Sequence, residues 1–185
     1  MTTIFHTAKY QGEPQEIINK VPFIATGEKQ WLGEGYYFWE SYIDNAHWWG
    51  DVHYNNSYII CKSLYESTKS NSINLIDNKE HLDIIENFQR ILIKEKIATS
   101  QSTLGRIIMF ARRKNLLPDN YKAIRAEIPN SRKYTNKKYS KTITISDKFL
   151  LDLRPQIQVC FFDDSLFVKP LTIIYPEHYI DGYAV

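Results

Sequence analysis

Cysteine is nearly absent from this chain: there are two in 185 residues, Cys61 and Cys160, each inside an apolar run. Two such residues make no disulfide framework, and their placement fits a reducing compartment. Glycine and proline are sparse too, with seven of each, which excludes collagen-like and Pro/Gly-rich low-complexity architectures. Long hydrophobic runs are missing, and nothing approaches the roughly 18 apolar residues of a membrane-spanning helix. The opening Met1-Thr-Thr-Ile-Phe-His6 has no basic stretch ahead of an apolar block, so no secretory signal is expected and a cytoplasmic location is. A phosphate-binding glycine loop is also lacking. Gly33-x-Gly35 has neither a third glycine nor a preceding apolar strand, which excludes a Rossmann reading.

What remains is ordinary globular material, 43% hydrophobic and 24% charged, long enough to bury a core as one domain over 1–185. The net charge of +2 conceals an asymmetry. Residues 106–141 hold eleven Lys or Arg against two acids, whereas the segments on either side are both net acidic. Such a block commonly marks a surface for nucleic acid or an acidic partner, and it equally suits a solvated loop beside a polar helix face.

Along the chain, Thr3-Ile-Phe5 is a short β-prone stretch that ends at His6-Thr7. A loop and short helix around residues 15–20 lead to Lys29-Gln-Trp-Leu32 and an aromatic run, Tyr36-Tyr-Phe-Trp39, behind two glycines. Ser41 suits an N-cap for a helix over 41–50. Strands are expected over 56–65 and 72–76. Asp77 with Glu80 forms a capping-box pattern ahead of Leu82, Ile85, Phe88 and Leu92 at helical spacing. Leu104, Ile107, Ile108 and Ala111 mark a second amphipathic helix. Residues 122–126 read as strand, 130–141 as a basic loop, and 141–145, 157–162 and 166–174 as further strands. Strands first, helices in the middle and strands last favour an α+β fold over a doubly wound parallel sheet.

The histidines show no zinc spacing: His47 and His53 are six apart and Cys61 does not complete a set, so no metal is expected. Neither cysteine has the surroundings of a nucleophile. What stands out is a three-part arrangement. Ile4-Phe-His-Thr7 is a strand ending in histidine. Gly33-Glu-Gly-Tyr-Tyr-Phe38 is followed by Ala46 and Trp48. Gln158-Val-Cys-Phe-Phe-Asp-Asp-Ser165 is a polar residue opening an apolar strand.

In that order, these motifs resemble the ADP-ribosyltransferase superfamily in its diphtheria-toxin-like branch, whose core strands present His, Tyr and usually Glu. The wider segment Arg154-Pro-Gln-Ile-Gln-Val-Cys-Phe161 resembles small bacterial and phage toxin-like members, which often carry Gln in the third position. The resemblance implies a split β core with two or more helices packed on it. It also implies NAD+ as co-substrate, with His6, Tyr37 and Gln158 as the catalytic positions. His6 would bond the adenosine-side ribose and the Thr7 backbone the carboxamide. Tyr37 and Trp48 would cover the two faces of nicotinamide, with Gly35 and Ala46 part of the same cofactor-binding motif. Gln158 would face the nicotinamide-ribose 2′-hydroxyl.

Two departures bear on the chemistry. Thr7 stands where many relatives have Gly. Gln158 replaces a carboxylate; an amide orients a hydroxyl but supplies no negative charge and cannot act as a base. Single transfer or slow hydrolysis is therefore expected, and extension of a polymer is not. Arg112, Arg113, Lys114, Arg132 and Lys133 are the acceptor-binding candidates, with RNA or DNA favoured over protein. The expected context is a toxin in bacterial or phage conflict, with an acidic antitoxin or inhibitor as a further partner. The alternatives are an NAD+ glycohydrolase and a non-catalytic relative that binds nucleic acid.

Overall fold

A computed structural model describes residues 1–66, 71–128, 138–139, 142–146 and 149–180. In chain order the elements are β1 (Thr2–Lys9), α1 (Pro14–Ile18), β2 (Ile24–Ala25), β3 (Gly35–Glu40), α2 (Ile43–Tyr54), β4 (Tyr58–Tyr65) and β5 (Ser72–Asn74). There follow α3 (Lys79–Lys94), α4 (Leu104–Arg113), β6 (Ala123–Glu127), β7 (Thr142–Ser146), β8 (Phe149–Asp152), β9 (Ile157–Phe161) and β10 (Thr172–Tyr175). The class is α+β. Seven strands run in the order β10-β4-β1-β3-β9-β6-β5, with β2 added on β3, while β7 and β8 form a separate ribbon. Within the large sheet only β5 and β6 pair in parallel.

The sheet forks at its centre. β1 pairs with β3 only at Ile4↔Glu40 and Phe5↔Trp39, yet it follows β4 over its whole length, from Thr2↔Tyr65 to Lys9↔Tyr58. β2 takes up the β3 edge that β1 leaves, at Tyr36 and Gly35. On its other edge β3 stays bound to β9 from Tyr36↔Phe161 to Trp39↔Gln158.

Because strand side chains alternate, each central strand serves two layers. Phe38, Val159 and Phe161 point to one side and join Ile4, Tyr65, Phe167 and Ile17 of α1 in an apolar cluster. Tyr37, Trp39, Gln158 and Cys160 belong to the other side. There α4 packs Ile108 and Ala111 against Ile124 and Cys160. Some distance along, α2 packs Ala46 and Trp48 against Phe5, Trp39 and Ile60. Two helical covers thus share one face of the sheet.

Several local expectations need correction. β1 does not end before His6; His6 and Thr7 lie inside an eight-residue strand, because β4 supplies partners to both. Ser41 is not the cap of α2: it sits in the left-handed region at φ 65°, and Tyr42 is the N-cap without a side-chain bond. α2 also runs on to Tyr54. The Asp77–Glu80 box is replaced by Asn78, whose Oδ1 accepts from the His81 backbone N–H at 3.2 Å. Leu82, placed on the buried face of α3, is 45% exposed, and buried His81 takes that position. β8 was not foreseen.

Candidate functional site

The fork creates the site. Where β1 departs, the Tyr37 carbonyl faces no strand partner on that edge, and the His6 ring replaces one: Nδ1–H donates to it at 2.9 Å. A carbonyl only accepts, so this bond places the His6 proton on Nδ1 and leaves Nε2 as a bare lone pair. Nε2 is buried and has no hydrogen-bond partner. Burial lowers the His6 pKa to about 4 against the opposing effect of the Tyr37 bond, so the ring is neutral near pH 7. Phe23 meets the ring edge-on at 4.7 Å.

Tyr37 fixes the loop ahead of its own strand. Its hydroxyl donates to the Gly33 carbonyl at 2.7 Å and accepts from the Leu32 N–H at 2.9 Å. Burial pushes its pKa well above the ordinary tyrosine value, so it stays protonated. Gly33 makes the turn at φ +86°, while Gly35 answers a different need: a Cβ there would lie 2.3 Å from the Phe161 carbonyl oxygen of β9. On β9, Gln158 is 5% exposed, and its Oε1 accepts from the Trp31 indole N–H at 2.7 Å.

His6, Thr7, Tyr37 and Gln158 all line one cavity of about 330 Å³. Its remaining wall is largely aromatic: Phe23, Trp31 and Trp39, with Trp49 and Tyr54 from α2, closed off by Ile128 after β6. Among the described lining residues Lys29 is the one cation and there is no carboxylate. Flat aromatic walls with a few directed polar groups suit a ring-bearing organic ligand. The absence of a lining carboxylate means that none of these side chains is placed to act as an anionic base.

Four of the sequence-derived candidates therefore converge, and others do not. Thr7 turns its Oγ1 to donate to the Ala46 carbonyl at 3.0 Å, and Ala46 itself is wholly buried. Gly35 serves strand packing. Trp48 is 8% exposed in the α2 cluster, edge-on to Trp39 at 5.9 Å. The α2 residues that reach the cavity are Trp49 and Tyr54, because the helix turns Trp48 toward Phe5 and Ile60. Arg112 donates to the Glu34 carbonyl at 2.6 Å and lies 4.1 Å over the Phe162 ring, so it braces the fold. Arg113 and Lys114 are exposed at the end of α4. Arg132 and Lys133 lie outside the described residues.

Sequence reasoning missed Trp31, Phe23, Trp49 and Tyr54. A Trp two positions before Gly33 was visible, but nothing local connects it to Gln158, 127 residues away. Among the described residues no group of three His, Cys, Asp or Glu side chains is placed to hold a metal, and no helix is long and apolar enough to cross a membrane. Compared with known protein families, with curated proteins and with solved structures, the chain matches none.

Proposed function

We propose that the chain binds NAD+ in this cavity and transfers a single ADP-ribose to a macromolecular acceptor, nucleic acid before protein. One observation carries the reading. His6, Tyr37 and Gln158, far apart in sequence and on three neighbouring strands, meet in one aromatic-walled cavity. At about 330 Å³ the cavity is near the lower end of small-molecule sites, roughly 300–1,000 Å³. It suits a nucleoside-sized part of the dinucleotide, with the rest at its mouth. Tyr37, Trp39 and Trp49 supply ring faces for nicotinamide, the last two in the role that the family resemblance implies for Trp48. His6 lines the wall beside the ribose.

In the reaction the bond between the nicotinamide nitrogen and the anomeric carbon breaks, with both electrons passing to the ring. The anomeric carbon then bonds an acceptor oxygen or nitrogen, whose proton leaves to solvent. The protein's part is to hold the dinucleotide bent and the acceptor in line. Exposed Arg113 and Lys114 offer charge to an acceptor phosphate.

The test is incubation of the purified chain with NAD+ labelled in the adenylate half, alone, with RNA or DNA, and with cell protein. Label on nucleic acid supports the reading. Label on protein alone changes the acceptor class, and free ADP-ribose alone makes the chain a glycohydrolase. If NAD+ neither binds nor turns over, the NAD+ reading falls.

A further inference from the structure

We propose that Trp31 is a positioning residue that locks the Gln158 amide with its N–H₂ group toward the cavity, making the site hold its ligand and restrain cleavage. An indole N–H only donates, so the Gln158 atom 2.7 Å from Trp31 Nε1 must be the carbonyl oxygen. Turning the amide over would set two donors face to face and leave the indole without an acceptor. Both ends of the pair are anchored. Gln158 sits on a central strand between Trp39 of β3 and Ala126 of β6. The Trp31 segment is held from behind by α4, where a Cβ on Gly105 would lie 2.0 Å from the Gln30 carbonyl oxygen.

The cavity consequently has a hydrogen-bond donor at its Gln158 end. His6 gives its Nδ1 proton to Tyr37, and its Nε2 is buried. Gln158 offers N–H, and among the described residues nothing accepts from it. A ligand must bring an acceptor oxygen to Gln158.

The consequence for catalysis rests on the NAD+ reading above. An amide N–H donated to the 2′-oxygen of the nicotinamide ribose draws electron density from the sugar that must become cationic. A group accepting the 2′-hydroxyl proton does the reverse. The Trp31–Gln158 pair is thus a brake on loss of nicotinamide that leaves binding intact.

Two measurements on the full chain separate the parts of this proposal. The first needs no ligand: hydrogen exchange of the Trp31 indole N–H by NMR. Gln158→Met removes the acceptor and should speed exchange about tenfold, while Gln158→Glu keeps one oxygen for the indole and should leave it slow. Equal exchange in wild type and Gln158→Met overturns the lock. The second measures the NAD+ dissociation constant beside the rate of nicotinamide release. Gln158→Glu, which keeps the indole bond and turns a charged oxygen inward, should raise kcat about a hundredfold with binding changed less than about threefold. Trp31→Phe, which frees the amide to rotate, should raise kcat about tenfold at similar affinity. NAD+ binding with kcat unchanged in both variants overturns the brake. A wild-type chain that does not bind NAD+ overturns the site reading, and the exchange result still decides the lock.

Discussion

The two faces of the central sheet are made by the same strands and are covered differently. On the side of Phe38, Val159 and Phe161 the space is filled, and the buried Arg125–Glu40 pair is matched. Arg125 meets Glu40 through two bonds, at 2.6 and 3.0 Å, while the Tyr65 hydroxyl donates to Glu40 at 2.6 Å. On the side of Tyr37, Trp39 and Gln158, two helical covers leave a gap, and the polar groups in it are only half used. Gln158 spends its carbonyl oxygen on Trp31, and His6, which reaches the same cavity from the Phe38 side where β1 leaves β3, spends Nδ1 on the Tyr37 carbonyl. A buried polar group without a partner opposes stability. The unpartnered His6 Nε2 is kept where β1 leaves β3, at the edge of the cavity.

The comparison breaks most directly on the filled side. Phe38→Ala should lower unfolding free energy by about 3–5 kcal/mol in urea titrations, since the ring is 1% exposed among Phe161, Phe167 and His6. Glu40→Ala should cost about 3 kcal/mol in the same assay by leaving Arg125 half-buried without its partner.

Around the cavity the effects are no larger, and the first is tied to pH. The folded pKa of His6 is about 4 against an ordinary 6.5, so below pH 6.5 the unfolded chain binds the proton that the folded ring refuses. Stability from this group is full above pH 6.5 and falls as pH drops toward 4, by up to roughly 3 kcal/mol. The difference between wild type and His6→Asn, followed by denaturation from pH 7.5 to 4, should show that slope. A parallel pair of curves would place the His6 proton elsewhere. Tyr37→Phe removes both hydroxyl bonds to the Leu32–Gly33 loop and should cost about 1–2 kcal/mol while keeping the ring face for a ligand.

The smallest effect on folding belongs to the exposed basic end of α4. Lys114→Glu should change stability by less than about 0.5 kcal/mol. If the residue touches an acceptor phosphate, the same change should weaken nucleic-acid binding and lower its salt slope by about one.

Much of this fold was legible. Alternation in Tyr36-Tyr-Phe-Trp39 places Phe38 in one layer and Tyr37 in the other, and the structure keeps that division. The periodicities of α3 and α4 survive with shifted ends, because capping depends on which nearby side chain reaches the free N–H groups, and Asn78 reaches them where Asp77 does not. In the site, His6, Thr7, Tyr37 and Gln158 could be picked from order and residue type. Trp49 in place of Trp48 could not, since a helix of twelve residues turns by one position according to what it packs against.

By itself the sequence determined the α+β class, the central strands, the division of each into two faces and the polar residues on them, because those follow from local periods of 2 and 3.6 residues. Tertiary structure alone decided that β1 leaves β3 after Phe5, that the Tyr37 carbonyl is thereby served by His6, and that Trp31 meets Gln158. These are contacts between distant segments, and no local period encodes them. Chain order offered the candidates for a site; the fork in the sheet made the cavity and brought four of them to its wall.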